Sequence, residues 1–281
     1  MNNHLKKTSI ISIMLIVAVS MLSGCTLSES EDVKKVSDNV VAENSNIDIN
    51  KNKAKVLEIS KPEVLDENVG DNLIETKTKV KNISDYNIRN IELTFREFDK
   101  DNNALSKTEA LSKITLLPGE SAYIQSAHKK YAQSAEVTSY AYNVSDKLVN
   151  VNLSTNEVNI VDTKEKIVND KKYNILGISE PKITNKVDGG YHAQITIKNM
   201  SDKDIGSVIL EIAELNDKNE YTNVSYLDSY DVIKKSQEIQ LNSVHSDDAK
   251  KLEVIGYIYD DVSNNSTVEV NLKLNESILM K

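Results

Sequence analysis

The chain is 281 residues long, 39% hydrophobic and 27% charged, which is enough apolar material for two modest cores. Its 43 acidic residues outnumber 34 basic ones, and the net charge of −9 argues against nucleic acid, whose phosphates demand clustered lysine and arginine. One cysteine, eight glycines and three prolines exclude a disulfide framework, a multi-cysteine metal site and a collagen-like or proline-rich chain.

Residues 1–24 carry Lys6 and Lys7 ahead of a short apolar run from Ile10 to Val19, too brief for a lasting membrane span and typical of a secretion signal. It is followed by Leu22-Ser23-Gly24-Cys25, which resembles the lipobox of bacterial lipoprotein signal peptides. The resemblance implies cleavage before Cys25 and diacylglycerol on its sulfur, so the only expected prosthetic group is covalent lipid. Acyl chains hold at roughly 0.8 kcal/mol per buried methylene, and two or three give a durable anchor. The expected location is therefore the outer side of a bacterial cell membrane. The abundance of lysine, asparagine and isoleucine suggests an AT-rich, Gram-positive host. Loss of residues 1–24 leaves 32 basic and 43 acidic residues, a net charge of −11. Residues 25–54 are polar and aperiodic and read as a flexible tether.

An internal repeat dominates the remainder. At a shift of 117 residues, Lys81-Asn82-Ile83-Ser84-Asp85 falls on Lys198-Asn199-Met200-Ser201-Asp202, and Leu93, Glu97, Ser126, His128 and Tyr140 fall on Leu210, Glu214, Ser243, His245 and Tyr257. Ile59-Ser60-Lys61-Pro62 matches Ile178-Ser179-Glu180-Pro181 at a shift of 119. Each copy reads as β-structure. Residues 74–80 alternate Ile74, Thr76, Thr78 and Val80 against charged positions, and 191–197 alternate Tyr191, Ala193, Ile195 and Ile197 against polar ones. Further strands are expected around 91–95, 123–126, 137–144, 149–153, 208–212, 254–259 and 268–274. Leu117-Pro118-Gly119-Glu120 predicts a turn that Lys234-Lys235-Ser236-Gln237 does not share. The fold expected is all-β: two tandem immunoglobulin-like antiparallel sandwiches at 55–160 and 173–281, with a charged linker at 161–172.

The succession Val80-Lys81-Asn82-Ile83-Ser84-Asp85, Phe95-Arg96-Glu97-Phe98-Asp99 and Leu117-Pro118-Gly119-Glu120 resembles FxLYD-type immunoglobulin-like domains of bacterial surface proteins. The second copy fits more loosely, with Ile212 and Leu215 in place of the aromatics. The resemblance implies an extracellular, noncatalytic sandwich; such motifs specify turns and core and say little of activity.

Catalytic signatures are sparse. His128 and His245 are equivalent and read as a loop contact inherited by duplication, placed after a strand. Neither Gly-x-Ser-x-Gly nor His-Glu-x-x-His nor a phosphate-binding glycine loop occurs. Asp99, Asp101 and Asn103 have calcium-loop spacing, but Ala104 and Ala110 stand where that loop needs Gly and Glu, so no metal is expected. Tyr221, Tyr226 and Tyr230 cluster in the second copy without tyrosine counterparts in the first and are the expected partner-contact residues. Two functions fit: a noncatalytic binding, adhesion or scaffolding module that contacts an envelope or surface protein or polymer, or an accessory subunit of an envelope enzyme, transporter or receptor. A solute-binding transport lipoprotein would need two α/β lobes, which the strand periodicity opposes.

Overall fold

The computed structural model describes residues 49–66 and 72–280. The first domain is formed by β1 (Leu57–Ile59), β2 (Glu63–Asp66), β3 (Leu73–Asn82), β4 (Ile88–Phe98), β5 (Ala104–Leu116), β6 (Ser121–Lys129), β7 (Ser134–Val144), β8 (Lys147–Asn152) and β9 (Val158–Asp162). After β10 (Lys166–Val168) and one 3-10 turn (Lys171–Tyr173) come β11 (Leu176–Ile178), β12 (Lys182–Val187), β13 (Gly190–Asn199), β14 (Val208–Leu215), β15 (Tyr221–Asp228), β16 (Glu238–Ser246), β17 (Lys251–Asp261), β18 (Ser266–Asn271) and β19 (Glu276–Met280). The protein is all-β, two tandem immunoglobulin-like sandwiches, and among the described residues no helix is long and apolar enough to cross a membrane.

The alternation read from sequence sets the faces. In β3 Thr76, Thr78 and Val80 are buried while the intervening lysines are not, and in β13 every odd position from Tyr191 to Ile197 is buried. Each sandwich has its own core. Phe95, Leu93, Tyr140 and Val149 belong to the first, and Ile195, Leu210, Tyr257 and Val268 to the second. Equivalent tyrosines anchor both. The Tyr140 hydroxyl accepts the Val56 amide at 3.1 Å, and the Tyr257 hydroxyl accepts the Ile175 amide at 2.9 Å.

The repeated Lys-Asn-x-Ser-Asp motif is explained by its asparagine. Asn82 is fully buried; its Nδ2 donates to the carbonyls of Tyr86 (2.8 Å) and Leu116 (3.0 Å), and its Oδ1 accepts the amide and hydroxyl of Ser84. Asn199 does the same toward Lys203, Ile233 and Ser201. One amide side chain thus satisfies backbone groups of a loop and of the opposite sheet, a role that no apolar or acceptor-only residue fills.

Three expectations are corrected. Leu117–Glu120 and Lys234–Gln237 form the same turn: Gly119 and Ser236 both lie at positive φ (83° and 60°), and the fourth residue's side chain accepts the first residue's amide, Glu120 from Leu117 at 2.8 Å and Gln237 from Lys234 at 2.7 Å. A serine in the left-handed region stands in for glycine because the side-chain cap holds the turn closed. Residues 161–172 are not a simple linker, since β9 runs to Asp162 and β10 pairs antiparallel with β19. The expected strand at 268–274 stops at Asn271, where Leu272 to Asn275 turn into β19.

The two sandwiches share a sheet. Its ten strands run β1-β3-β6-β15-β14-β17-β18-β19-β10 with β2 beside β3, so the first domain's β6 meets the second domain's β15 in parallel, Ala122 opposite Tyr221. The other layers are the five-stranded sheet β5-β4-β7-β8-β9 and the second domain's β11, β12, β13 and β16.

Asn82→Leu is expected to cost about 2–4 kcal/mol by removing the buried donor to the Tyr86 and Leu116 carbonyls and the acceptor of the Ser84 amide. Chemical denaturation compared with Ile83→Leu, whose side chain is exposed, checks this.

Candidate functional site

Cys25 and the lipobox residues Leu22, Ser23 and Gly24 lie outside the described residues. The tyrosine trio does not act as one surface. Tyr226 and Tyr230 are 48% and 58% exposed, but Tyr221 is 3% exposed and packs into the core of the first domain. Its outward-facing position on β15 is covered because that strand docks on β6. The Asp99 carboxylate, considered for calcium, instead caps its own turn, accepting the amides of Asp101 (2.9 Å) and Asn103 (2.8 Å).

The equivalent histidines are within strands, not after them, and are the hubs of two matching polar clusters. On β6, His128 Nε2 is 2.9 Å from Ser126 Oγ and its Nδ1 is 3.2 Å from Glu97 Oε1 on β4. On β16, His245 Nε2 is 2.7 Å from Ser243 Oγ and its Nδ1 is 2.9 Å from Glu214 Oε1 on β14. A Ser-His-Glu order is that of a hydrolytic triad. Here it is sealed, with Glu97, His128 and Ser126 exposed by 0%, 1% and 7%. A nucleophile must meet its substrate, and these hydroxyls face other buried groups; Ser126 is 2.9 Å from Thr76 Oγ1. Burial pushes the His128 imidazole below its ordinary value despite Glu97. Burial would raise the Glu97 carboxyl, but hydrogen bonds from Ser106, Thr108, the Lys129 amide and His128 outweigh it and hold Glu97 below the carboxylate range. An ionised Glu97 only accepts, so neutral His128 carries its proton on Nδ1 and accepts from Ser126 at Nε2. The cluster pins the two sheets of each sandwich together. Its signal in the sequence is the retention of Glu, Ser and His at one shift.

The domain junction is the second concentration of charge. The Lys273 ammonium, from the turn between β18 and β19, reaches Glu120 Oε2 at 2.6 Å, the Thr115 carbonyl at 3.1 Å and the Tyr221 hydroxyl, and lies 4.5 Å from the Tyr221 ring centre. Burial lowers its affinity for the proton, with Glu120 opposing. Beside it Asn271 donates to Thr115 Oγ1 at 2.7 Å, and Lys79 pairs with Glu220, which also accepts from Tyr123 at 3.3 Å. Ala213, Leu215 and Ile255 of the second domain complete the first domain's core. Glu211, on the same face, folds its carboxylate over Gly256, where a Cβ would come within 2.6 Å of Oε2. Its Oε1 has no hydrogen-bond partner, and burial, reinforced by Glu269 and opposed by Lys113, pushes the carboxyl up to about 7.

The first domain has an open concavity. A trough of about 890 Å³ crosses the outer face of β4, β7, β8 and β9, and a second hollow of about 330 Å³ adjoins it, sharing Thr94, Ser139 and Asn152. Among the described residues no group of three or more His, Cys, Asp or Glu is placed to hold a metal ion.

No family model and no curated protein matches the chain. Among solved structures it is similar to the exo-chitosanase CsxA of Amycolatopsis orientalis (9% identity, 79% of this chain and 26% of that one, TM-score 0.21). It is also similar to red sea bream transglutaminase (7% identity, 79% and 31%, TM-score 0.19). A third is a Mobiluncus mulieris adhesin containing intramolecular disulfide, isopeptide and ester cross-links (10% identity, 80% and 93%, TM-score 0.18). The chain spans about a quarter of the chitosanase's length.

Lys273→Met is expected to lose about 1–2 kcal/mol, since it removes a buried ammonium from its bonds to a half-buried carboxylate and a carbonyl. Calorimetry should show one endotherm for the parent chain and two for the variant. Glu211→Gln should stabilise the chain in a pH-dependent way. The folded-state value of about 7 lies above the ordinary 4.5, so ionisation opposes folding increasingly as pH rises between the two. The gain should approach about 3 kcal/mol above pH 7 and vanish near pH 4, read from denaturant midpoints across that range.

Proposed function

We propose that the chain is a lipid-anchored module on the outer side of a bacterial membrane that binds or scaffolds envelope components without catalysing a reaction. The observation that carries this reading is the junction. Two sandwiches joined through one sheet and a buried lysine make an arm of fixed shape, suited to presenting a surface and unsuited to closing on a substrate. The sealed Ser-His-Glu clusters support it, because the residues with catalytic identities serve packing. The Leu22-Ser23-Gly24-Cys25 sequence supplies the anchor.

A second reading, an accessory subunit of an envelope enzyme, transporter or receptor, is favoured by a patch in one stretch of the second domain. Tyr226, Tyr230 and Val232 are all about half exposed, and exposed tyrosine is well suited to protein contact.

Crosslinking of the intact protein in its host distinguishes the two. A single stoichiometric envelope protein, lost with Tyr226→Ser/Tyr230→Ser, supports the subunit reading; wall polymer or several surface partners support the binding module. Cys25→Ala is expected to move the protein from the membrane fraction to the soluble one, and its retention in the membrane would contradict the anchor.

A further inference from the structure

Comparison of the two copies singles out the trough. Across β4, β7, β8 and β9 one row of the first domain's outer face reads Glu92, Ala141, Asn150, Asn159, each directly opposite the next. The same row of the second domain reads Ile209, Ile258, Glu269, Ile278. The adjacent row is Thr94, Ser139, Asn152 in the first copy and Glu211, Gly256, Asn271 in the second. In the second domain this face is turned to the first. Asn271 meets Thr115, Ala213 and Ile255 enter the first domain's core, and Glu211 is 5% exposed. The equivalents of Ala213 and Ile255 in the first domain are Arg96 and Thr138, which line the adjoining hollow. One ancestral face has therefore become apolar and covered in one copy, and amide-rich and open in the other.

The chemistry of the open face narrows its occupant. Of the apolar residues along it, Tyr140, Val151 and Val158 belong to the first domain's core, which leaves Ala141 on the outward row, so a lipid or an apolar peptide side chain gains little by burial there. Lys51 and Lys55 balance Glu92 and Glu157, so a polyion gains little over the main trough. What remains is amides and hydroxyls. Among the described residues the side chains of Asn150 and Asn159 are committed to no hydrogen bond, and Asn152 uses its Oδ1, which accepts the Ser154 and Thr155 amides. An amide offers two donors and an acceptor, which suits adjacent hydroxyls that both give and take hydrogen bonds. Neighbouring strands repeat these groups about every 5 Å across a small-residue floor, which favours a linear ligand with repeating units. The volume falls in the range of small-ligand sites.

We propose that this trough binds a neutral, linear, polyhydroxylated chain, a glycan strand running across β4 to β9. The assignment rests on the reading of the protein as an envelope binding module and names its ligand class. Asn150 and Asn159 hold the hydroxyls, Ala141 and Ser139 leave room for the sugar ring, and Arg96 marks the trough's end.

The test is calorimetric titration of the full chain, in a detergent that carries no sugar, with hexamers of N-acetylglucosamine, β-linked glucose and α-linked mannose. At least one is expected to bind saturably. Ala141→Arg, which fills the floor, should weaken it at least tenfold, as should Asn150→Leu/Asn159→Leu, which leaves the backbone pairing unchanged; Val244→Arg, on the exposed face of the other domain, should not. Circular dichroism and melting curves confirm that each variant is folded. No binding by any of the three, or binding that the trough variants leave intact, overturns the proposal. So does tighter binding of a glycerol-phosphate polymer, which would assign the cationic end and not the amide floor. Crosslinking to an envelope partner without glycan binding would remove the ligand class alone; glycan binding by a chain that Cys25→Ala does not release would remove the anchored reading alone.

Discussion

A single ammonium group decides how the two halves of this protein meet. Lys273, on the turn between β18 and β19, is withdrawn from water at the junction, and a buried cation is tolerated only where its protons find acceptors. Of those acceptors, Glu120 and the Thr115 carbonyl belong to the first domain, and the Tyr221 hydroxyl to the second. The requirement therefore fixes distance and orientation together. Once it is met, Tyr221 lies against Ala122, the edge of β6 is occupied, and Leu215 and Ile255 find an apolar environment that their own sandwich does not provide.

The divergence of the copies follows from that choice. In the repeat, Glu120 corresponds to Gln237 and Lys273 to Ser154, so neither half of the ion pair is duplicated and the junction specifies one order of domains. The outer faces have separated in the same way, Ala213 and Ile255 against Arg96 and Thr138. By contrast, what holds each sandwich internally has been kept. The buried asparagine, the paired tyrosines and the Ser-His-Glu cluster each satisfy backbone or side-chain groups of both sheets, and loss of any member strands its partners without water to replace them.

That contrast also explains what was legible in the sequence. Period-two alternation reports which side of a strand is buried, so the strands at 74–80 and 191–197 and the duplication were readable. The left-handed Ser236 was not, because a side-chain cap can replace glycine and leaves no glycine behind. The histidines were expected after a strand, whereas each is near the end of its own strand, where alternation along β6 and β16 turns the imidazole in. The junction was invisible for a simpler reason: residues 120 and 273 share no local pattern, and no repeat relates them. Tyr221 looked like its exposed neighbours because sequence reports that a tyrosine has an amphipathic ring, not which other strand lies over it.

The pairing of β10 with β19 places the segment between the domains in contact with Ser277, Ile278 and Leu279. Synthesis runs from the N-terminus, so Lys166–Val168 must wait for its β19 partner until Glu276–Met280 has emerged. That contact between the interdomain segment and the second domain thus forms only after all of the first domain's strands have been made. Until then the first domain has its own strands without that contact, and removal of Glu276–Met280 would keep most strands while losing the partner of β10.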